Sequence, residues 1–202
     1  MPKRGHGKLG RRLKRTLPGG QSESFAYNGA GSQLTHKDFN GRTTAFLYDA
    51  MNRLTNKTAD PYFSSYWVRF NYTPFGSLSN VLDSTGRSVT NLYDVRNRLD
   101  KKISPEGVLK YTYDGNNNVL TVQSFSDIPC TTPHVGGIFL TYTRDSINRL
   151  KTITDNNASG APITTYNYDE LDRLKECVYP TTTVVKHTYA FNRLTKPTGS
   201  PQ

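Results

Sequence analysis

A chain of 202 residues could build one sizeable domain, but 34% apolar residues with 13 Tyr suits an amphipathic sheet better than a thick core. The formal charge of +10 is uneven: residues 1–20 hold seven basic residues and no acid, which leaves +3 for the remainder. No apolar run is long enough for a signal peptide or a membrane helix. No His-Glu-x-x-His, Gly-x-Ser-x-Gly or glycine-rich phosphate loop occurs, so the familiar catalytic frameworks are absent and no enzyme activity, cofactor or metal site is expected.

The chain opens on a basic arm, Lys3, Arg4, Lys8, Arg11, Arg12, Lys14 and Arg15 among glycines. Blocks of like charge solvate themselves, so residues 1–20 are expected to be disordered; the functional reading of the same residues is contact with a polyanion. From residue 21 to 195 a short motif returns about every twenty to thirty residues. Six copies have seven residues: Tyr48 to Leu54, Tyr72 to Leu78, Tyr93 to Leu99, Tyr113 to Val119, Arg144 to Leu150 and Tyr168 to Leu174. An earlier copy, Tyr27 to Leu34, reads as one residue long and irregular, and a later one, Tyr189 to Leu194, as one residue short. Such self-similarity is the signature of a repeat architecture.

The chemistry of the motif is that of a hairpin. With the first residue as position zero, position four reads Asn52, Gly76, Asn97, Asn117, Asn148 and Asp172, all tolerant of a left-handed backbone. Position one is Asp49, Asp94, Asp114, Asp145 and Asp169 in five copies, placed to accept backbone N–H bonds in an Asx turn. Position six is apolar (Leu54, Leu78, Leu99, Val119, Leu150, Leu174), and position five carries Arg53, Arg98, Arg149 and Arg173. Residues before position zero alternate, so Phe46 shares a face with Tyr48, Phe70 with Tyr72, Tyr111 with Tyr113 and Tyr166 with Tyr168, which predicts an aromatic ladder on one face. Further turn signals between copies, such as Asp38-Phe39-Asn40-Gly41 and Asp83-Ser84-Thr85-Gly86, join hairpin to hairpin. The expected fold is all-β: an antiparallel meander of repeated hairpins forming a curved open sheet, with residues 196–202 a tail.

Tyr-Asp-x-x-(Asn/Gly)-Arg-Leu at this spacing, with Asn40-Gly41-Arg42-Thr43-Thr44 leading into Phe46-Leu47-Tyr48-Asp49, resembles the YD repeat of bacterial Rhs proteins from about Phe25 to Thr195. The same repeats occur in shell subunits of insecticidal toxin complexes and in teneurins. In those families the repeats wind a β-sheet strip into a hollow shell around a toxin or an internal segment. The resemblance therefore implies a non-catalytic structural role, as a fragment of such a shell, with further repeat segments or an enclosed polypeptide as partners and a secreted or cell-surface setting. The family's closing region around Asp-Pro-x-Gly is not found in these residues, so a shell segment rather than a closed shell is expected.

Two other functions compete. Aromatic ladders could stack on sugar rings, making the chain a carbohydrate-binding module. The basic residues could bind an anionic polymer, though nucleic acid is the weaker expectation. Trp67, in a strand leading into Phe70 and Tyr72, is expected to pack against the ladder. The segment from Gln123 to Ile138 reads as an inserted loop; its Cys130 and His134 fall short of the three or four ligands a metal site needs. A disulfide between Cys130 and Cys177 stays open. Unpaired strands at the ends of a meander also predict self-association through sheet edges.

Overall fold

The computed structural model describes all residues except 1, 2, 8, 61, 63–65, 182, 191, 192, 201 and 202, with backbone alone for 3, 4, 190 and 193–200. The described residues are all-β and contain no α-helix. The chain divides into two units, Met1–Leu92 and Tyr93–Gln202. The first holds β1 (Lys3–His6), β2 (Arg12–Thr16), β3 (Ser22–Tyr27), β4 (Gln33–Lys37), β5 (Thr43–Tyr48), β6 (Leu54–Thr58), β7 (Trp67–Tyr72), β8 (Leu78–Asp83) and β9 (Ser88–Tyr93). The second holds β10 (Leu99–Ser104), β11 (Gly107–Tyr113), β12 (Val119–Phe125), β13 (Phe139–Arg144), β14 (Leu150–Asp155), β15 (Ile163–Tyr168), β16 (Leu174–Val178), β17 (Val184–Ala190) and β18 (Arg193–Ser200). Within each unit every strand pairs antiparallel with the next, which is the expected meander.

The motif turns are built as their composition requires. Asn52, Asn97, Asn117, Asn148 and Asp172 have φ between 58° and 70°, and Gly76 has φ 88°, so all six position-four residues are left-handed. In the Asp49 turn, Asn52 N–H donates to the Asp49 carbonyl (2.9 Å) and Asp49 N–H to the Arg53 carbonyl (3.0 Å). This is a type I turn closed by a left-handed residue. The Asp49 carboxylate Oδ1 accepts from Met51 N–H (3.0 Å) and again from Arg53 N–H (2.9 Å), capping two donors that the turn would leave unmade. Thr73 replaces Asp at position one, and its hydroxyl accepts from Ser77 N–H (3.1 Å) in the same role.

Each hairpin also carries a bulge that the sequence pattern does not reveal. Tyr48 faces Leu54 and Leu47 faces Asn56, so Thr55 is an extra residue; Ser79, Leu120, Lys151 and Lys175 occupy the same place in their copies. The connecting turns reuse the motif geometry. Asp38 Oδ1 caps Asn40 and Arg42 N–H, and Asp83 Oδ1 caps Thr85 and Arg87 N–H, with Gly41 and Gly86 left-handed.

Three expectations need correction. Residues 196–200 are not a tail but belong to β18, which pairs with β17. Tyr27 pairs with Gln33, and Asn28, Gly31 and Ser32 make the standard turn bonds, so this copy is regular in length with Gln33 at position six. Nor do residues 1–20 form a disordered arm: β1 and β2 pair with each other, and β2 pairs with β3. His6 faces Arg12, Gly7 and Gly10 make the turn bonds, and Gly10 has φ 71°, so His6 to Arg12 is another copy, with Gly10-Arg11 its surviving signature. Backbone pairing absorbs the basic strand, and Arg15 stands directly opposite Glu23, which neutralises it at 2.8 Å.

Burial is shallow, as a single layer dictates. Among the described residues the buried apolar ones are Val108, Val122, Phe125 and Cys177, all in the second unit, and the buried polar one is Glu23. Near Val108 and Phe125 the inserted loop folds back, with His134 N–H donating to the Ser124 carbonyl (3.1 Å). Both cysteines are free thiols, and burial pushes the Cys177 thiol pKa up. Trp67 lies on the face opposite Phe70 and Tyr72 by alternation, where the Arg69 guanidinium stacks on it at 4.2 Å; it does not join the ladder.

Asn97→Val should destabilise the fold by about 1–2 kcal/mol, whereas Asn97→Gly should cost under about half of that, because a β-branched side chain resists positive φ. Urea unfolding midpoints of the two variants check this; equal midpoints would show that the left-handed turn is not limiting.

Candidate functional site

The residues singled out by the motif converge on one arrangement, a joint between successive repeats. Tyrosines at position zero stand on every second strand, and two strand spacings are roughly 9.6 Å, too far for ring-on-ring stacking. The arginine at position five fills that gap. Arg53 lies 4.5 Å from the Tyr72 ring, Arg98 4.4 Å from Tyr113, Arg149 4.4 Å from Tyr168 and Arg173 4.5 Å from Tyr189. The expected aromatic ladder is thus an alternation of tyrosine and guanidinium, while ring-on-ring stacking is seen between Phe25 and His36 (4.7 Å).

Each arginine is aimed by the aspartate of its own turn. Nε of Arg53, Arg98, Arg149 and Arg173 donates at 2.7 Å to Oδ2 of Asp49, Asp94, Asp145 and Asp169 respectively. One carboxylate therefore spends Oδ1 on the turn and Oδ2 on the arginine. The side chains are about a quarter exposed, so each ion pair alone contributes little; its use is to fix a planar cation over the next tyrosine.

The tyrosine closes the joint. The bulge ends pairing between neighbouring repeats early: β6 and β7 pair from Asn56↔Arg69 onward, which leaves the Leu54 carbonyl without a strand partner. Tyr72 Oη donates to it at 2.8 Å. The same bond joins Tyr27 to Arg12, Tyr48 to Gln33, Tyr113 to Leu99, Tyr168 to Leu150 and Tyr189 to Leu174, at 2.8–2.9 Å. Position six thus supplies a carbonyl as well as an apolar side chain, a role invisible in its residue type.

A third link runs from position five to the left-handed residue of the next copy. Arg98 Nη1 donates to Asn117 Oδ1 (2.8 Å), Arg149 Nη1 to Asp172 Oδ1 (2.5 Å), and Ser32 Oγ to Asn52 Oδ1 (2.6 Å). Gly76 has no side chain to offer, and Arg53 Nη1, directed at it with 3.8 Å to the place of a Cβ, is buried and unpartnered. One joint is rewired. Asn118 replaces arginine at position five and Arg144 replaces tyrosine at position zero of the following copy. Asn118 Nδ2 reaches both Asp114 Oδ2 (2.9 Å) and Asn148 Oδ1 (2.7 Å); its side-chain bond is the main cause that holds the Asp114 carboxyl below the usual range, with the Arg144 charge a lesser one.

The turn carboxylates are held below the usual range. For Asp49 and Asp169 the leading cause is the arginine side-chain bond; for Asp94 it is the Arg98 backbone N–H; for Asp145 the cost of burial is largest but is outweighed by its bonds to Arg149. None faces a second carboxylate with a raised pKa, the arrangement that acid–base chemistry uses. Among the described residues no group of three His, Cys, Asp or Glu could hold a metal, and no helix is long and apolar enough to cross a membrane. Of the basic residues named as polyanion contacts, Lys8 and the side chains of Lys3 and Arg4 lie outside the described residues; Arg11, Arg12, Lys14 and Arg15 stand on or beside β2.

No protein-family model and no curated protein matches the chain. Among solved structures it is similar to a crystal structure of TcdB2–TccC3–Cdc42, with 15% identity and a TM-score of 0.68 over 93% of this chain and 12% of that one. TcdB2–TccC3 without its hypervariable C-terminal region gives 16% identity and a TM-score of 0.66 over 93% and 12%. The Photorhabdus luminescens Tc holotoxin pore gives 13% and 0.50 over 93% and 14%. The chain thus spans about an eighth of the chains it matches, and at these identities the likeness is one of fold: the all-β meander is that of toxin-complex structures.

Gly76→Asn should raise stability by about 1 kcal/mol, because its Oδ1 would satisfy the buried Arg53 Nη1 once the turn relaxes from φ 88° toward the 58–70° of the asparagines in the sister turns. The gain, read from urea midpoints, should vanish in an Arg53→Ala background. Acid should loosen every joint. Because folding lowers the aspartate pKa values, their stabilisation is present above the unfolded value near about 3.9 and is lost as pH falls through the folded values. The urea midpoint should hold from pH 7 to about 5 and drop below about pH 4; a flat profile down to pH 3 would contradict the joint.

Proposed function

We propose that the chain is a non-catalytic structural segment of a β-sheet shell, working by joining further repeat segments and enclosing another polypeptide. The observation that supports this most is the one-way form of the joint: at Arg53, Arg98, Arg149 and Arg173 a repeat offers a guanidinium and a carbonyl to the next and takes a tyrosine from it. Repeats built this way extend by addition, sharing a core only with neighbours. The fold likeness to toxin-complex structures and the resemblance to YD repeats point the same way. A sugar stacking on the ladder would meet rings whose one face already carries a guanidinium, as at Tyr72, Tyr113, Tyr168 and Tyr189.

The test is contact with polypeptide as against glycan. A photo-crosslinking residue at exposed Leu47 or Leu171, with the chain expressed in its source cells, should give adducts to other repeat segments or to one extended polypeptide. Crosslinks to no polypeptide, together with saturable binding on a glycan array, would overturn the shell reading in favour of a carbohydrate module.

A further inference from the structure

The joint arginines are held by a carboxylate at position one and, at Arg98 and Arg149, by a side-chain oxygen at position four of the next copy; at Arg11 both places are glycine. Position one of its own turn is Gly7, where Arg53, Arg98, Arg149 and Arg173 have aspartate; position four of the next copy is Gly31, where Arg98 and Arg149 find Oδ1. The rest of the joint is intact. Arg11 lies 5.4 Å from the Tyr27 ring, and Tyr27 Oη donates to the Arg12 carbonyl (2.9 Å). The Arg11 guanidinium has no hydrogen-bond or ion-pair partner among the described residues.

The vacant carboxylate position opens on a hollow of about 410 Å³ lined by Gly7, Leu9, Arg11, Leu13 and Tyr27. Leu9 and Leu13 are 73% and 42% exposed, so the wall beside the cation is apolar. The surrounding charge favours an anion from outside: residues 1–37 contain eight Lys and Arg against one acid, and that acid, Glu23, is buried on Arg15 and His36. Independently of the shell reading, we propose that the Arg11 hollow is a binding site for a carboxylate next to an apolar group, an Asp or Glu of an extended partner polypeptide with a leucine-sized neighbour. The sister joints show the geometry, a carboxylate oxygen 2.6–2.7 Å from Nε and Nη2. A phosphate, larger and more strongly hydrated, fits the leucine wall less well.

The full chain can be titrated with N-acetyl-leucine by heteronuclear NMR, with N-acetyl-leucinamide and inorganic phosphate as comparison probes. Saturable millimolar binding of N-acetyl-leucine is expected, shifting the signals of Arg11, Leu13 and Tyr27, with the amide about tenfold weaker. Arg11→Gln should abolish it, Gly7→Asp should abolish it by supplying the carboxylate from within, and Lys14→Gln should leave it unchanged. Spectra of each variant report its fold, and Arg11→Gln suffices if Gly7→Asp does not fold. Equal loss in Lys14→Gln and Arg11→Gln would reduce the site to diffuse charge. Tighter phosphate than carboxylate binding, or no saturation by about 50 mM, would also overturn it.

Discussion

The structure depends on a mismatch of spacing. A tyrosine recurs on alternate strands, so its successor is two strand separations away, and a single-layer sheet has no second sheet to pack between them. A guanidinium is the flat, charged group that spans such a gap while lying on a ring. It stays there because the turn aspartate holds it from behind with one oxygen and closes the turn with the other. At Asp49–Arg53, Asp94–Arg98, Asp145–Arg149 and Asp169–Arg173 the aspartate aims the arginine and the next tyrosine receives it, so the three residue types recur together there.

The joint also explains how so thin a protein holds together. With four buried apolar side chains and one buried acid among the described residues, apolar burial supplies less than in a two-layer domain. Hydrogen bonds make up the difference locally. At six hairpins a tyrosine hydroxyl from the following repeat satisfies the carbonyl that the bulge strands, so what would be a weak seam becomes a directional contact. The rewired joint at Asn118 and Arg144 shows the tolerance of the scheme: an amide replaces the guanidinium, the aspartate keeps its support, and the sheet continues through the step that carries the longest insertion.

The same logic ties stability to function as proposed. A contact that each repeat makes only with its successor transmits no long-range order, and length is then set by how many repeats are present. Such a strip suits enclosing or scaffolding better than it suits chemistry, which asks for convergent titratable groups in a closed pocket. The turn carboxylates are instead stabilised as anions, each by its own turn and arginine.

How much was legible beforehand follows from which interactions are local. The hairpin turns are decided within five residues, so Asn52, Asn97, Asn117, Asn148, Asp172 and Gly76 could be read as left-handed, and Asp49 and its equivalents as turn caps, from residue type and spacing alone. Strand alternation placed Phe46 with Tyr48 for the same reason. What lay beyond reach were contacts between repeats. The arginine's place over the next tyrosine and the carbonyl behind Leu54 depend on strands about twenty residues apart, and the bulge at Thr55 on a pairing register inside the hairpin that residue type does not reveal. Register likewise showed that Tyr27 to Gln33 is a regular copy. It showed too that His6 to Arg12, with only Gly10-Arg11 left of the signature, folds as a repeat rather than an arm, because backbone pairing and a left-handed glycine suffice where the side chains have diverged.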